Sequence, residues 1–185
     1  MVPDRPDDPI VEYRYVTETR VLTAADIEEY SRLRLEALER DPEAFSASPE
    51  THRALSADEL KARIGPGAHG SFLLGGFVEG RLCGMMGFFR DQNPKLRHRG
   101  HVWSVYVTAA ARGQGLGRQL MTGLVERAAA TEGIEQVVLS VSTTQVAAVR
   151  LYRSLGFESF GIEPRAMKIG DRYFDHEHMV LMFGR

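Results

Sequence analysis

Cysteine is almost absent. Cys83 is the only one in 185 residues, so no internal disulfide can form, and folds stapled by disulfides are excluded. Its neighbours Leu82, Gly84, Met85 and Met86 read as a buried strand, unlike the electropositive niche of a reactive thiolate. A long apolar run is missing too. No stretch approaches the roughly 18–20 apolar residues of a membrane span. The first nine residues carry Pro3, Pro6, Pro9, Asp4, Asp7 and Asp8 where a secretion signal would be apolar. Net charge is scarce, at −2, which leaves no global positive field for nucleic acid or an anionic membrane. Neither is expected as a partner, and the expected location is the reducing cytoplasm. His176 and His178 share a face if extended, but two histidines without a third ligand at proper spacing do not define a metal site, so no metal is expected.

What is present is an ordinary folding composition, 43% hydrophobic and 26% charged, which speaks against disorder, collagen and coiled coil. The length suits one domain with a proper core. The expected organisation is a flexible tail over residues 1–11 followed by a single domain over residues 12–185.

Hydrophobic periodicity divides that domain. Glu12 to Leu22 alternates as a first strand region. Thr23 and Asp26 then make a capping pair for a helix whose stripe includes Tyr30, Leu33, Arg34 and Leu38, and Asp41-Pro42 ends it. Ser48-Pro49 marks a loop, a short helix is predicted over Asp58 to Ile64, and Gly65-Pro66-Gly67 stops it. Ser71 to Val78 and Arg81 to Arg90 form a hairpin across Glu79-Gly80. The strand Val102 to Val107 leads to a helix carrying Leu120, Met121, Leu124, Val125 and Ala128. Val137 to Val141 is the next strand, and a shorter helix carries Ala148, Leu151, Tyr152 and Leu155. This alternation calls for a right-handed crossover with parallel pairing. Strands around a loop at Pro164 and Gly170-Asp171 complete the chain.

Chemistry concentrates at one turn. Arg112-Gly113-Gln114-Gly115-Leu116-Gly117-Arg118 lies between the end of a strand and the start of an amphipathic helix. The first N–H groups of a helix have no intrahelical partner and sit at the positive end of its dipole, and glycines let the main chain approach an anion closely. The spacing rejects the dinucleotide fingerprint G-x-G-x-x-G, because position 118 is arginine, and no G-x-x-x-x-G-K-[S/T] occurs. From Gln92 through Val125 there is no acidic residue, while Lys95, Arg97, Arg99, Arg112 and Arg118 are present. A near-neutral chain thus has a local positive region.

The turn fits [R/Q]-x-x-G-x-[G/A]. With Val105-Tyr106-Val107 before it, and Gln145, Ala148, Leu151-Tyr152 and Gly156-Phe157 in order after it, the chain resembles the GNAT superfamily of acyl-CoA-dependent N-acyltransferases. The specific part of the resemblance covers Val102 to Phe157. It implies an α/β (α+β) fold with a mixed, mostly antiparallel twisted sheet, helices on both faces and a splayed central parallel strand pair. The implied activity is acetyl transfer from acetyl-CoA, a co-substrate, to an unidentified amine by direct attack in a ternary complex.

The resemblance also implies site residues. Amides from Arg112 through Arg118 would hold the pyrophosphate, and main-chain groups at Val105, Tyr106 and Val107 would pair with the pantetheine arm. Gln145, where the family often has asparagine, would touch that arm. Tyr152 matches the tyrosine that protonates the departing thiolate; a phenol pKa of about 10 against a thiol's of about 8.5 makes the transfer feasible. Several family members place a carboxylate base near the start of the central strand. Eleven residues before Arg112 this chain has His101, which suits a base, and Asp175 to His178 is a second source. The acceptor pocket would be bordered by Glu39 to His52 and Glu163 to Phe174, with Phe45, Arg165 and Tyr173 as walls. The alternative reading is a non-catalytic acyl-CoA sensor or interaction module on the same fold. Homodimers are common in such families, which leaves that state open.

Overall fold

The computed structural model describes residues 17–64 and 70–184. The expected tail over residues 1–11, the start of the first strand and the Gly65-Pro66-Gly67 stop lie outside the described residues. Strand β1 (Thr17–Val21) is followed by a single 3-10 turn (Ala24–Asp26) and α1 (Ile27–Arg40). Thr23 and Asp26 form the expected capping pair, the Thr23 N–H donating to Asp26 Oδ2 at 2.8 Å. Arg20 clamps the same carboxylate through two N–H groups at 2.8 and 2.7 Å, which holds Asp26 far below the usual carboxylate range.

Pro42 ends α1, and a 3-10 turn (Pro42–Ala44) follows. At Ser48-Pro49 the structure has a helix where a loop is predicted, α2 (Pro49–Arg53). Ser48 Oγ accepts from the Thr51 N–H at 3.2 Å, and Pro49 sits at the first helical position, where its missing N–H costs nothing. α3 (Ala57–Ala62) starts from the Ser56–Glu59 box. The hairpin β2 (Phe72–Val78) and β3 (Arg81–Arg90) turns at Glu79 and Gly80, both at positive φ, as a two-residue hairpin loop requires. Then come β4 (Arg99–Val107), α4 (Leu116–Ala129), β5 (Gln136–Ser142), α5 (Val146–Ser154), β6 (Glu158–Ile169) and β7 (Arg172–Met182). β6 runs through the stretch predicted as a loop around Pro164. Being an edge strand, it can hold a proline at a bulge, and the register with β7 shifts between Glu163 and Met167.

The sheet has seven strands in the order β1-β2-β3-β4-β5-β7-β6. All neighbours are antiparallel except β4 and β5. One face is covered by α4 and α5 over a core that includes Leu116, Leu120, Leu124, Leu139 and Tyr152. The other face is covered by α1, with Tyr30, Leu33, Leu38, Phe45 and Tyr106 in its core. Gly76 and Gly84 let α4 lie close to the sheet, since a Cβ on either would come within 2.8 Å of Leu116 or Leu120.

Two irregularities in β4 set the shape of the sheet's centre. Its register with β3 runs Met85↔Tyr106 and then Gly87↔Trp103, so two residues of β4, Ser104 and Val105, oppose one of β3. Three positions apart in a regular strand, Trp103 and Tyr106 would face opposite sides. The extra residue brings both to the α1 side, with Ser104 absorbing the bend at φ 55. Towards β5, the ladder contains only Arg99↔Gln136, Gly100↔Val137 and His101↔Val138. Beyond His101 the parallel strands part, as expected.

Candidate active site

The gap between the parted strands opens into a cavity of about 720 Å³. Its walls are Val102 to Val107 on β4, Leu139 to Ser142 on β5, the Gly113–Arg118 turn, and Gln145, Leu151 and Tyr152 on or beside α5. From the α1 side, Arg34, Asp41, Phe45 and Ser46 complete it, with Met167 and His176 from the last hairpin.

At one end lies the glycine turn. Gly113 and Gly115 take φ values of 77° and 85°, a conformation that glycine adopts without steric cost. A Cβ on either would meet nothing within 4 Å, so the space above the turn is open. Among the described residues, no N–H from Gly113 through Arg118 makes a backbone hydrogen bond. These amides converge on the N-terminus of α4, which adds the favourable end of its dipole. Arg112 braces the turn, donating Nε to the Val107 carbonyl at 2.8 Å and Nη2 to Asp41 at 2.6 Å. Arg118 donates to Ser154 Oγ at 2.8 Å. Lys95, Arg97 and Arg99 do not line the cavity.

Along the middle, Val105 and Val107 pack their side chains against the α4 face of the core. The β5-facing main-chain groups beyond His101 have no strand partner. Tyr106 faces the α1 side instead. Its hydroxyl donates to Glu36 at 3.0 Å, and burial together with that carboxylate pushes the phenol up to about 12.

Tyr152 stands in the wall at 3% exposure. Burial raises its phenol well above the ordinary value, so it keeps its proton throughout the neutral range. Its hydroxyl makes no protein hydrogen bond among the described residues, and its ring packs 6.0 Å from that of Phe157. Gln145 precedes α5 and donates to Glu43 at 3.1 Å, which ties the cavity rim to the Pro42–Ala44 turn.

His101 is not brought to the cavity. It sits where β4 and β5 are still paired, stacked on Phe89 at 4.7 Å and 3.4 Å from Asp91. Burial lowers its pKa, and Asp91 opposes that shift. The histidine that does line the cavity is His176, within the Asp175–His178 segment. Its Nδ1 lies 3.2 Å from Ser140 Oγ, and its Nε2 is buried without a formed hydrogen bond. Burial and the neighbouring His178 lower its pKa, against the opposing pulls of Glu163 and the Glu43 backbone, so the neutral ring is favoured at pH 7. Of the predicted pocket walls, Phe45 lines the cavity and Arg165 and Tyr173 do not; those two pair with each other on the surface, the guanidinium 5.0 Å from the ring. Cys83 lies outside it as well, packed against the α4 core. Among the described residues no group of three or more His, Cys, Asp or Glu is placed to hold a metal ion, and no helix is long and apolar enough to cross a membrane.

Residues 32–157 match the family model described as the acetyltransferase (GNAT) family. An L-methionine sulfoximine/L-methionine sulfone acetyltransferase of Pseudomonas aeruginosa is 38% identical over 94 residues, covering 50% of this chain and 54% of that protein. The chain thus spans about half the length of that curated relative. Among solved structures, an acetyltransferase of the GNAT family from Streptococcus pneumoniae superposes with a TM-score of 0.80 at 24% identity, over 91% of this chain and 99% of that one. A GNAT superfamily phosphinothricin acetyltransferase from Sinorhizobium meliloti, solved in complex with acetyl-CoA, gives a TM-score of 0.78 at 23% identity over 91% and 89%.

Proposed function

The chain belongs to the acetyltransferase (GNAT) family, and from that premise we propose that it transfers an acetyl group from acetyl-CoA to an amine by direct attack in a ternary complex. The observation that carries this reading is the parting of β4 and β5 beyond His101 into a cavity with unpaired turn amides at one end and a protonated, unpartnered Tyr152 in its wall. We take residues 12–185 as one catalytic domain.

The residues fit acetyl-CoA. The open turn amides, Gly113 to Arg118, would hold the pyrophosphate. The β5-facing groups near Val105 and Val107 would hold the amides of the pantetheine arm as an added strand would, with Gln145 at its side. When bound, acetyl-CoA supplies an activated carbonyl carbon and a thiolate leaving group. A main-chain N–H of the parted strand near Tyr106 and Val107 would steady charge on the carbonyl oxygen. Tyr152 would give its proton to the departing sulfur.

The attacking amine must first lose a proton, because it is protonated at neutral pH. His176 is suited to accept that proton, since it lines the cavity, favours the neutral ring at pH 7 and has a buried Nε2 with no formed hydrogen bond. His101 lacks that position.

Calorimetric titration of acetyl-CoA, with CoA, NAD and ATP as controls, tests the cradle before the acceptor is known. Selective binding of acetyl-CoA and CoA is expected. Gly117→Glu should fold, since a Cβ there makes only ordinary contacts at 3.6 and 3.8 Å. Its carboxylate beside the pyrophosphate should weaken acetyl-CoA at least about 100-fold, because like charges a few ångströms apart cost several kcal/mol at a partly dry site. Normal affinity in that variant would overturn the cradle. Binding without thiol release across a broad amine panel would favour the sensor reading.

A further inference from the structure

Arg34 sits on the buried stripe of α1, one turn beyond Tyr30, and is 6% exposed. A guanidinium so buried is ordinarily paired with a carboxylate. Even arginines that stay well exposed in this fold find a carboxylate: Arg20 pairs with Asp26, Arg112 with Asp41 and Arg153 with Glu177, at 2.6 to 2.8 Å. Among the described residues Arg34 has no such partner. It donates once, from Nη1 to Ser104 Oγ at 3.2 Å, and lies over the Phe45 ring at 4.5 Å. Burial disfavours its charge, the like charge of Arg63 opposes it as well, and only the neutral Tyr30 phenol pulls the other way.

This cation lines the cavity. Ser104 and Phe45 fix the plane of the guanidinium from an edge and a face, which leaves Nε and Nη2 without a protein acceptor. That edge is the fork that binds a carboxylate through two parallel hydrogen bonds. Arg34 stands beside Ser104, three residues or roughly 10 Å along β4 from Val107 and the glycine turn that comes after it, so it belongs to the acceptor end. The same cavity is also walled by the apolar and aromatic side chains of Phe45, Trp103, Tyr106 and Met167.

Resting on the acetyl-transfer reading, we propose that the acceptor is a small α-amino acid with an apolar side chain, its carboxylate held by Arg34 and its side chain by Phe45, Trp103 and Met167. The same buried charge rejects polyamines and other acceptors that bring only positive charge.

The test compares L-leucine, L-methionine and L-phenylalanine with their carboxamides and with the matching decarboxylated amines. Thiol release is followed in wild type, Arg34→Met and Arg34→Lys, with acetyl-CoA titrated into each variant as a control of folding. The single tryptophan, Trp103, lines the cavity, so its emission reports acceptor binding without turnover. Wild type should prefer an amino acid over its amide at least about 30-fold in kcat/KM, as expected when a charged hydrogen-bonding partner is lost. Arg34→Met should erase the preference through KM, with acetyl-CoA affinity kept; Arg34→Lys should retain part of it. Equal use of acid and amide by wild type would overturn the carboxylate assignment and leave acetyl transfer standing. So would a loss in Arg34→Met that falls on both alike. If no amine of any class released thiol, acetyl transfer itself would fall, and saturable, Arg34-dependent quenching of Trp103 by the amino acids alone would still establish the anion site.

Discussion

Replacing Tyr152 by phenylalanine removes one oxygen atom from the cavity wall and leaves the ring, the Phe157 contact and the rest of α5 in place. That hydroxyl has no protein partner, so the fold loses no hydrogen bond with it. It lines the cavity and is not among the buried side-chain atoms left without a hydrogen bond, so solvent can satisfy it and its removal should change stability by no more than about 0.5 kcal/mol. For a chain of this length that corresponds to a shift in Tm of no more than roughly 2 °C either way. Turnover should respond very differently. Loss of a positioned general acid typically costs 10- to 1000-fold, or about 1.4–4 kcal/mol of barrier. The assay is steady-state thiol release at saturating acetyl-CoA, set beside calorimetric Kd and thermal unfolding of the same samples. Because burial raises the Tyr152 phenol, the wild-type acid stays protonated as pH rises, and no loss of kcat from this group should occur below about pH 10, the ordinary phenol value. Unchanged kcat in Tyr152→Phe would remove the acid role. A parallel collapse of Tm and acetyl-CoA affinity would make Tyr152 a packing residue.

His176→Gln should lower kcat by at least about 100-fold if it accepts the amine proton, while His101→Ala should leave kcat within about twofold because that ring lies outside the cavity; the reverse pattern would return the base to β4. With its pKa lowered by burial, His176 must become protonated to lose function, so the acidic limb of wild-type kcat should lie below pH 6.5 and disappear in His176→Gln. Asp26→Asn should destabilise the fold by about 1–3 kcal/mol, since it breaks the Arg20 clamp and the Thr23 cap together. The folded pKa of Asp26 is depressed, so its contribution is complete above the unfolded value of about 4 and is lost as pH falls through the folded one. Urea midpoints between pH 7 and pH 2.5 should therefore converge for the two proteins, and a constant difference would disprove the linkage.

The central crossover was legible because its signals are local and agree with one another. The glycine turn, the apolar faces of α4 and α5 and the β-branched run of β5 each fix a type and a place. The ends were harder for a physical reason. Pro164 in a central strand would have to interrupt it, but β6 is an edge strand, where an unused donor faces outward and a bulge absorbs the ring. Edge position is a tertiary fact, invisible in a run of residues. Ser48-Pro49 carried a helix-start signal, a capping serine followed by proline at the first position, but α2 is only five residues long, and so short a helix shows no periodic stripe.

The candidate site divides along the same line. Groups that act through the main chain, at the turn and along β4, follow from the glycine spacing and the strand before it. Side chains that reach the cavity depend on which face of each strand is turned to it, and the face is set by the bulge at Ser104. A count back from Arg112 assumes an unbroken strand and reaches His101. The extra residue in β4 resets the alternation, so Trp103 and Tyr106 share the α1 side. His176 enters from β7, opposite Ser142 in the ladder with β5, across a pairing that no local pattern specifies. Arg34 did leave a trace. It falls among Tyr30, Leu33 and Leu38 on a stripe that should be apolar throughout, and a charge at such a position either finds a carboxylate within the fold or waits for one from a ligand.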